Sequence, residues 1–566
     1  MNSRVVAALL VLTAVPPLRN AERGSGGEVP LRNAERGPGL RVPHAARDSA
    51  LHVLNRLAYG PRPGEVERVA AQGVLQWIDR QLELNKIDDP VLAAREHQFR
   101  ILASDRGELA RQYVAAQRAR RERKRDQGDM DGRGDSVAAP LPFTAAPLRP
   151  RRDMQSEQDP IQQKGRRLAA ELQNLAVVRA ALSERQLYEV MADFWTNHFN
   201  VFFGKGADRF LTPDYIEHTI RPHALGKFED LLVATAKSPA MMFYLDNWQS
   251  VAPGTSPPSP LSAMRRGGQG VRAPKGINEN YARELLELHT LGVDGGFTQQ
   301  DVIDVARVFT GWSIARPQQG ASFEFHGWAH DGGEKQVLGV RLPPGHGMDE
   351  GLGLLKVLAN HPATMHHVSR KLCQRFVRDD PPDGCVDDAV AAWKRSHGDI
   401  REVLRAILHG PDFWAAATVR AKVKTPLEFV VSAVRAVGGD PDSTPRLAQV
   451  VARLGEPLYL HAAPDGYAEQ EDAWVNSGAL LDRMNAAVAL AAGRLPGVSV
   501  DLDAVIPTTA DREGLVAAAD EKLLGGGMSE HTKHVIRQEL QDVGDPVQAR
   551  ALAVGLAIGG PEFQRQ

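Results

Sequence analysis

Cysteine is nearly missing from this chain: two residues, Cys373 and Cys385, in 566. That excludes a disulfide framework. Neither cysteine sits in a C-x-x-C pattern, so two free thiols are expected, with a single bridge as the alternative in an oxidising compartment. An excess of one charge is also missing. Lys and Arg number 68 against 70 Asp and Glu, which argues against a protein built mainly to bind nucleic acid or an acidic surface. Apolar runs long enough to span a membrane are absent. So are the G-x-S-x-G elbow, the phosphate-binding loop, the dinucleotide fingerprint and the H-E-x-x-H and Glu-x-x-His metal motifs, which leaves nucleophile, nucleotide and standard metalloenzyme chemistry without a sequence signature.

What is present begins at the N-terminus. Arg4 precedes an apolar run, Val5 to Val15, of the length of a signal-peptide core, ended by Pro16 and Pro17. Export to the periplasm or cell exterior is the expectation, although no A-x-A cleavage site follows. A buried apolar terminus would instead place the protein in the cytoplasm. The segment Pro17–Gly24 recurs as Pro30–Gly37, rich in Gly, Pro and Arg, and reads as a disordered linker.

From His44 onward the periodicity is helical. The expected fold is mainly α, a multi-helix globular protein with one small β-hairpin. Three parts are expected: a signal-like segment and linker over 1–43, an N-terminal helical lobe over 44–312, and a hairpin with a C-terminal helical lobe over 313–566. The first lobe carries a basic disordered insert at about 106–152, centred on the run Arg118 to Arg125. A single helix is expected over Glu65 to Leu82. The hairpin is expected to pair Phe323–Trp328 with Lys335–Val340 around a turn containing His330 and Asp331.

Two stretches concentrate chemistry. The first is Asp193 to Phe203, a run apolar on most sides, with Asp193, Asn197 and Asn200 at i, i+4, i+7. A helix of this kind is buried, and its polar residues must find partners inside the protein. The second is Asn278 to Asp301, read as helix, tight loop, helix. Tyr281, Leu285 and Leu288 make its apolar stripe. Asn280, Glu284 and Glu287 share another face, with Arg283 expected to pair with Glu287. Gly292 ends this helix, and Thr298 with Asp301 opens the next in a capping box.

Across the whole chain these motifs resemble a known bacterial family, number eighteen hundred in the domain-of-unknown-function series. The resemblance is carried by His52–Gly60, Phe194–Phe199, Asn278–Gly292, Asp294–Thr298, Thr310–Trp312, His330–Asp331 with Lys335, His361–Thr364, Arg370–Leu372, Lys424–Phe429 and Trp474–Ser477. It implies a mostly helical, often exported protein. It also implies a possible partner, a phosphatase- or sulfatase-like protein encoded nearby. It implies no activity. The chain departs from the family pattern at Leu460–Tyr467, before the Trp-x-Asn-Ser motif, and in the basic insert.

The candidate site follows from residue type. Glu284, Glu287, His198 and His330 are the expected catalytic acids and bases. Asn197, Arg283, His289, Asp331, Lys335, Trp474 and Asn476 are the expected binding residues. Asn197, His198, Arg283, Glu284, Glu287, His289, His330 and Asp331 are expected to converge on one polar pocket between helices, because buried charges without partners cost stability. Which metal or cofactor serves the site, if any, is unknown from sequence; the leading expectation is an exported enzyme, with metal-assisted hydrolysis as one form. A calcium loop at Asp294–Asp301 fails because Thr290 and Gly292 would occupy its first ligand positions. The alternatives are a purely structural network of paired groups, and a non-catalytic envelope protein that binds a partner.

Overall fold

The computed structural model describes residues 44–131, 160–254, 276–506 and 511–566. The signal-like run, the repeated linker and the latter part of the basic insert lie outside the described residues. The protein is mainly α, with three short two-stranded antiparallel ribbons. No helix among the described residues is long and apolar enough to cross a membrane.

Helices His44–Leu57, Glu65–Gln72 and Val74–Gln81 open the chain. The expected single helix over Glu65 to Leu82 is two, because Gly73 at φ 99° breaks it. The basic insert starts as a helix, Arg106–Asp131. After helix Pro160–Leu182 comes α1, Gln186–His198, which buries Leu187, Val190, Met191, Phe194, Trp195 and His198.

The central motif begins with α2, Glu279–Glu284. Its first turn is capped by the Asn278 side chain, which accepts from Asn280 N and Tyr281 N. The helix then widens into a π turn, Leu285–Thr290, with Leu291 N donating to Leu286 O at 2.8 Å. The π turn holds the buried positions in pairs four apart: Tyr281 and Ala282, Leu285 and Leu286, His289 and Thr290. Leu288, expected on the apolar stripe, is therefore only half-buried and His289 takes the inward place. The expected pair between Arg283 and Glu287 does not form. Arg283 Nη2 donates to Gln299 Oε1 at 2.8 Å instead. An i,i+4 contact assumes 3.6 residues per turn, and the π turn starts between the two. Gly292 does take the left-handed turn, φ 85°. Helix α3, Gln299–Val308, opens with the Thr298–Asp301 capping box.

The strand pairing differs from the expected single hairpin. Strand β1, Trp312–Ile314, pairs with β2, Phe323–Phe325; β3, Lys335–Val337, pairs with β4, Val340–Leu342. Leu338 and Gly339 both have positive φ and make the two-residue turn that joins β3 to β4. Asp301 Oδ1 anchors that turn by accepting from Leu338 N at 2.7 Å.

The C-terminal half is α4, Met348–Ala359; α5, Pro362–Phe376; α6, Asp383–Ser396; helix Ile400–His409; α7, Pro426–Ala436; α8, Arg446–Arg453; α9, Ser477–Ala491; and three final helices ending with Pro546–Gly559. Cys373 on α5 and Cys385 on α6 form a disulfide, not the two free thiols expected. The helices lie side by side, which brings the two Cα atoms to 6.2 Å. Helix α9 packs along Pro546–Gly559, where Gly555 lets the backbones approach; a Cβ there would lie 2.8 Å from Val488 Cα. Buried apolar side chains form a continuous cluster from Ala50 to Phe563.

Candidate functional site

A polar cavity of about 50 Å³ lies between α1, the end of α5, the start of α7 and the loop from Glu456 to Trp474. Helix α1 contributes Asp193 and Asn197, α5 contributes Arg375, and the loop contributes Glu456, Glu469 and the rings of Tyr459, Tyr467 and Trp474. The room is that of a few water molecules or one small polar group.

The polar stripe of α1 explains why the loop sits there. The Asn197 amide grips Tyr467 in both directions, donating to its carbonyl at 2.8 Å and accepting from its N–H at 2.6 Å. Just past the helix, Asn200 Nδ2 donates to Ala463 O at 2.6 Å and to His461 O at 3.1 Å. Gly466, at φ 74°, lets the loop press on α1; a Cβ would run into the Asn197 carbonyl oxygen. The loop is tied to itself as well, through Tyr467 Oη to Pro457 O at 2.9 Å and Trp474 Nε1 to Ala468 O at 3.0 Å.

The third member of the stripe behaves differently. Asp193 makes no hydrogen bond or ion pair with the described residues. Burial pushes its carboxyl up to about 7, with Glu469 adding to the rise and Arg375 opposing it. Burial likewise pushes Glu456 up to about 8, with Asp193 adding. Leu427 N donates to Glu456 Oε2 at 2.8 Å and opposes that rise. Arg375 is committed elsewhere. Its Nη1 lies 2.6 Å from Glu428 Oε1 and 3.6 Å from Glu469 Oε2. Burial acts to raise the Glu428 carboxyl, but Arg375 together with hydrogen bonds from Gln566 and the Thr425 backbone and the charge of Lys422 holds the group below the ordinary range. Two carboxyls thus face the cavity with protons available near neutral pH, beside a guanidinium whose charge is already met.

A second group lies along α5 from Arg375. His367 and Lys371 precede it at successive i, i+4 steps, and His198 and His289 meet them. His198 Nε2 donates to His289 O at 3.2 Å, and the His198 ring lies 6.4 Å from both the His289 and His367 rings. The remaining nitrogens, His198 Nδ1, His289 Nε2 and His367 Nε2, are buried without hydrogen-bond partners. Burial, with Lys371 adding, pushes His289 down to about 3, His367 to about 4 and His198 well below its usual value. These imidazoles are neutral at physiological pH. Among the described residues no three His, Cys, Asp or Glu side chains form a group arranged to hold a metal ion.

The other expected site residues do not join the cavity. Glu284 is half-buried, its carboxyl raised by burial and then by neighbouring Glu287, with Asp465 of the loop adding. Neither Glu284 nor Glu287 has a hydrogen-bond partner among the described residues. His330, Asp331 and Lys335 form a separate network. Lys335 Nζ lies 2.5 Å from Glu350 Oε2, and His330 Nε2 lies 3.3 Å from the same oxygen. Asp331 accepts from Arg307 Nε at 2.8 Å, and Arg307 also holds Asp304 at 2.6 Å. Asn476 is a helix cap, accepting from Ala479 N at the start of α9. Of the expected residues, Asn197 and Trp474 line the cavity, while His198 and His289 stand in the imidazole group. Glu456, Glu469 and Arg375 were not singled out; only Asp193, through its helical spacing with Asn197 and Asn200, carried a signal.

Two roomier clefts, of about 460 and about 570 Å³, lie elsewhere. Their charges are tied to other charges: Arg47 to Glu67 and Glu521 at 3.0 and 2.6 Å, and Arg221 to Glu189 at 2.8 Å. In the cavity beside Asp193, by contrast, Asp193 and Glu456 have no ion-pair partner among the described residues.

No curated protein and no solved structure matches this chain. The model of one family, described as a protein of unknown function (DUF1800), matches residues 52–565, a span that contains every residue of the cavity and of the imidazole group. The chain belongs to the DUF1800 family.

Proposed function

We propose that this protein is an exported enzyme that works by general acid–base catalysis, with Asp193 and Glu456 as the proton-transferring pair. The observation that carries the reading is the half-buried Asp193 carboxyl, which faces a small polar cavity with no partner of its own among the described residues. Carboxylates that serve packing are usually paired, as around β3, because an unpaired one withdrawn from water costs stability. Carboxyls that titrate near neutral pH both give and take protons efficiently there. Hydrolysis is the reaction class such a pair serves with water as the only co-reactant.

Export is supported by the apolar run Val5–Val15 and by the Cys373–Cys385 bridge, since such bridges persist in oxidising compartments. The test is a screen of ester, amide, glycoside and phosphoester substrates with the wild type, Asp193→Asn and Glu456→Gln. Turnover that falls by about 100-fold or more in both folded variants supports the pair, a loss typical for removal of a general acid or base. Turnover indifferent to both variants sinks it.

A second reading is a partner-binding role, with a phosphatase- or sulfatase-like protein encoded nearby as the partner. It is favoured by Leu460 and Val475, exposed apolar residues adjoining Tyr459 and Trp474 of the cavity wall. Co-purification that survives loss of Asp193 but not Leu460→Asp with Val475→Asp would favour it.

A further inference from the structure

The wall of the cavity has an uneven inventory of donors and acceptors. Its amide and ring donors are largely spent on backbone carbonyls. Asn197 Nδ2 donates to Tyr467 O, Asn200 Nδ2 to Ala463 O and His461 O, and Trp474 Nε1 to Ala468 O. The hydroxyls follow suit: Thr196 Oγ1 donates to Ala192 O at 2.7 Å and Tyr467 Oη to Pro457 O. Acceptors are left over. The Asp193 carboxyl is unpartnered among the described residues, and Glu469 Oε2 has no hydrogen bond, only the Arg375 guanidinium at 3.6 Å. Glu456, 6 % exposed, places its carboxyl in the same wall, where Leu427 N and the Thr425 side chain bond it but no cation pairs with it.

Charge is uneven in the same sense. Three carboxyls line the cavity against the single guanidinium of Arg375, and that group is shared between Glu428 at 2.6 Å and Glu469 at 3.6 Å. The remaining wall is aromatic. Tyr467 and Trp474 pack with ring centres 5.9 Å apart, and Tyr459 closes another side. Carboxyl acceptors among aromatic faces suit a cation that carries its own N–H donors, which the carboxylates bond and the rings attract. The volume of about 50 Å³ admits a head group and leaves the rest of its molecule outside.

We propose that this cavity receives a protonated amine or guanidine head group of the substrate, bonded by Asp193 and Glu456 and flanked by Tyr459, Tyr467 and Trp474. The assignment rests on the reading of this cavity as the enzyme's site and adds to it the class of group that enters. A cation there supplies the counter-charge that Asp193 lacks, so its arrival displaces the Asp193 proton into solvent and leaves Asp193 as the base and Glu456 as the acid of the pair.

The test is calorimetric titration of the full-length protein at pH 7 with ethylammonium and with methylguanidinium, each at millimolar levels, and with ethanol and acetate as neutral and anionic comparisons. Repeating each titration in buffers of different ionisation heat counts the protons released. Saturable one-to-one binding of at least one cation is expected, with proton release. In Asp193→Asn the affinity is expected to fall about tenfold or more, the scale of one lost charge-assisted bond. Glu456→Gln provides the same test should Asp193→Asn fail to fold, as judged by circular dichroism.

Absence of saturable binding by both cations overturns the inference, as does equal affinity in a folded Asp193→Asn or preferential binding of acetate. If cations fail to bind while turnover still depends on Asp193, the head-group assignment falls and the acid–base reading stands. If cations bind while turnover ignores Asp193, the reverse holds.

Discussion

Two buried polar clusters use the same residue types and end in opposite states. Around β3, Lys335, Glu350 and His330 meet within 3.3 Å, and Arg307 bridges Asp304 and Asp331. Each of these carboxylates finds a cation in the protein, as stable packing requires. In the cavity beside α1, Arg375 is drawn to Glu428, and Asp193 and Glu456 are left to hold protons instead. The difference is one of available cations. The first cluster is folded shut by its own charges. The second stays chemically open, and that is where a substrate has something to do.

Breaking the closed cluster should have the largest effect. Lys335→Met leaves Glu350 buried without its ammonium partner, and the expected loss is about 3–5 kcal/mol, read as a shift in the urea midpoint. Asp193→Asn should act in the opposite direction. The folded carboxyl is raised to about 7, above its ordinary range, so its contribution is full at acid pH and is lost as pH climbs through about 7. The variant should therefore match the wild type near pH 4 and exceed it by about 2–3 kcal/mol at pH 8. A variant less stable than the wild type at both pH values would contradict the sign.

Asp208 sharpens the contrast outside both clusters. It is fully buried, neither carboxyl oxygen has a partner, and burial pushes it well above its ordinary value. Its stabilising protonated form is likewise lost as pH rises. Asp208→Asn is expected to gain about 1–2 kcal/mol at pH 8, checked by thermal melts across pH. The smallest effect belongs to the surface of the central motif. Arg283 bonds only Gln299 there, so Arg283→Ala should change stability by less than about 0.5 kcal/mol. A large loss would revive the ion pair with Glu287.

The helices were readable because their apolar spacing is regular. The capping box at Thr298 and Asp301 was readable because it is local. So was the inward stripe of Asp193, Asn197 and Asn200, since polar residues among Phe194, Trp195 and Phe199 have few places to go. The π turn was not readable, and with it went the Leu288 stripe and the Arg283–Glu287 pair. One residue of extra winding shifts every later side chain, and no composition marks it. Strands β2 and β3 fall within the expected hairpin strands, but their pairing into two ribbons was missed because each strand has three residues and one turn uses Leu338 at φ 51°, an uncommon place for leucine. Glu456 and Glu469 stand in an aperiodic loop, and what makes them notable is the cavity they share with Asp193. That is a property of packing between segments far apart in sequence. Sequence flagged His330, Asp331 and Lys335 by residue type. Type alone does not say whether a charge is already paired.

The most direct test of the account is the protonation state of Asp193. Difference infrared spectroscopy of the wild type minus Asp193→Asn, stepped from pH 4 to pH 9, isolates the carboxyl C=O band of this residue. The account predicts a protonated band that persists past pH 6 and disappears with an apparent midpoint near 7, the value belonging to the coupled pair with Glu456. A band already gone by pH 5 would show an ordinary ionised aspartate. It would contradict the claim that this cavity keeps its carboxyls poised for proton transfer.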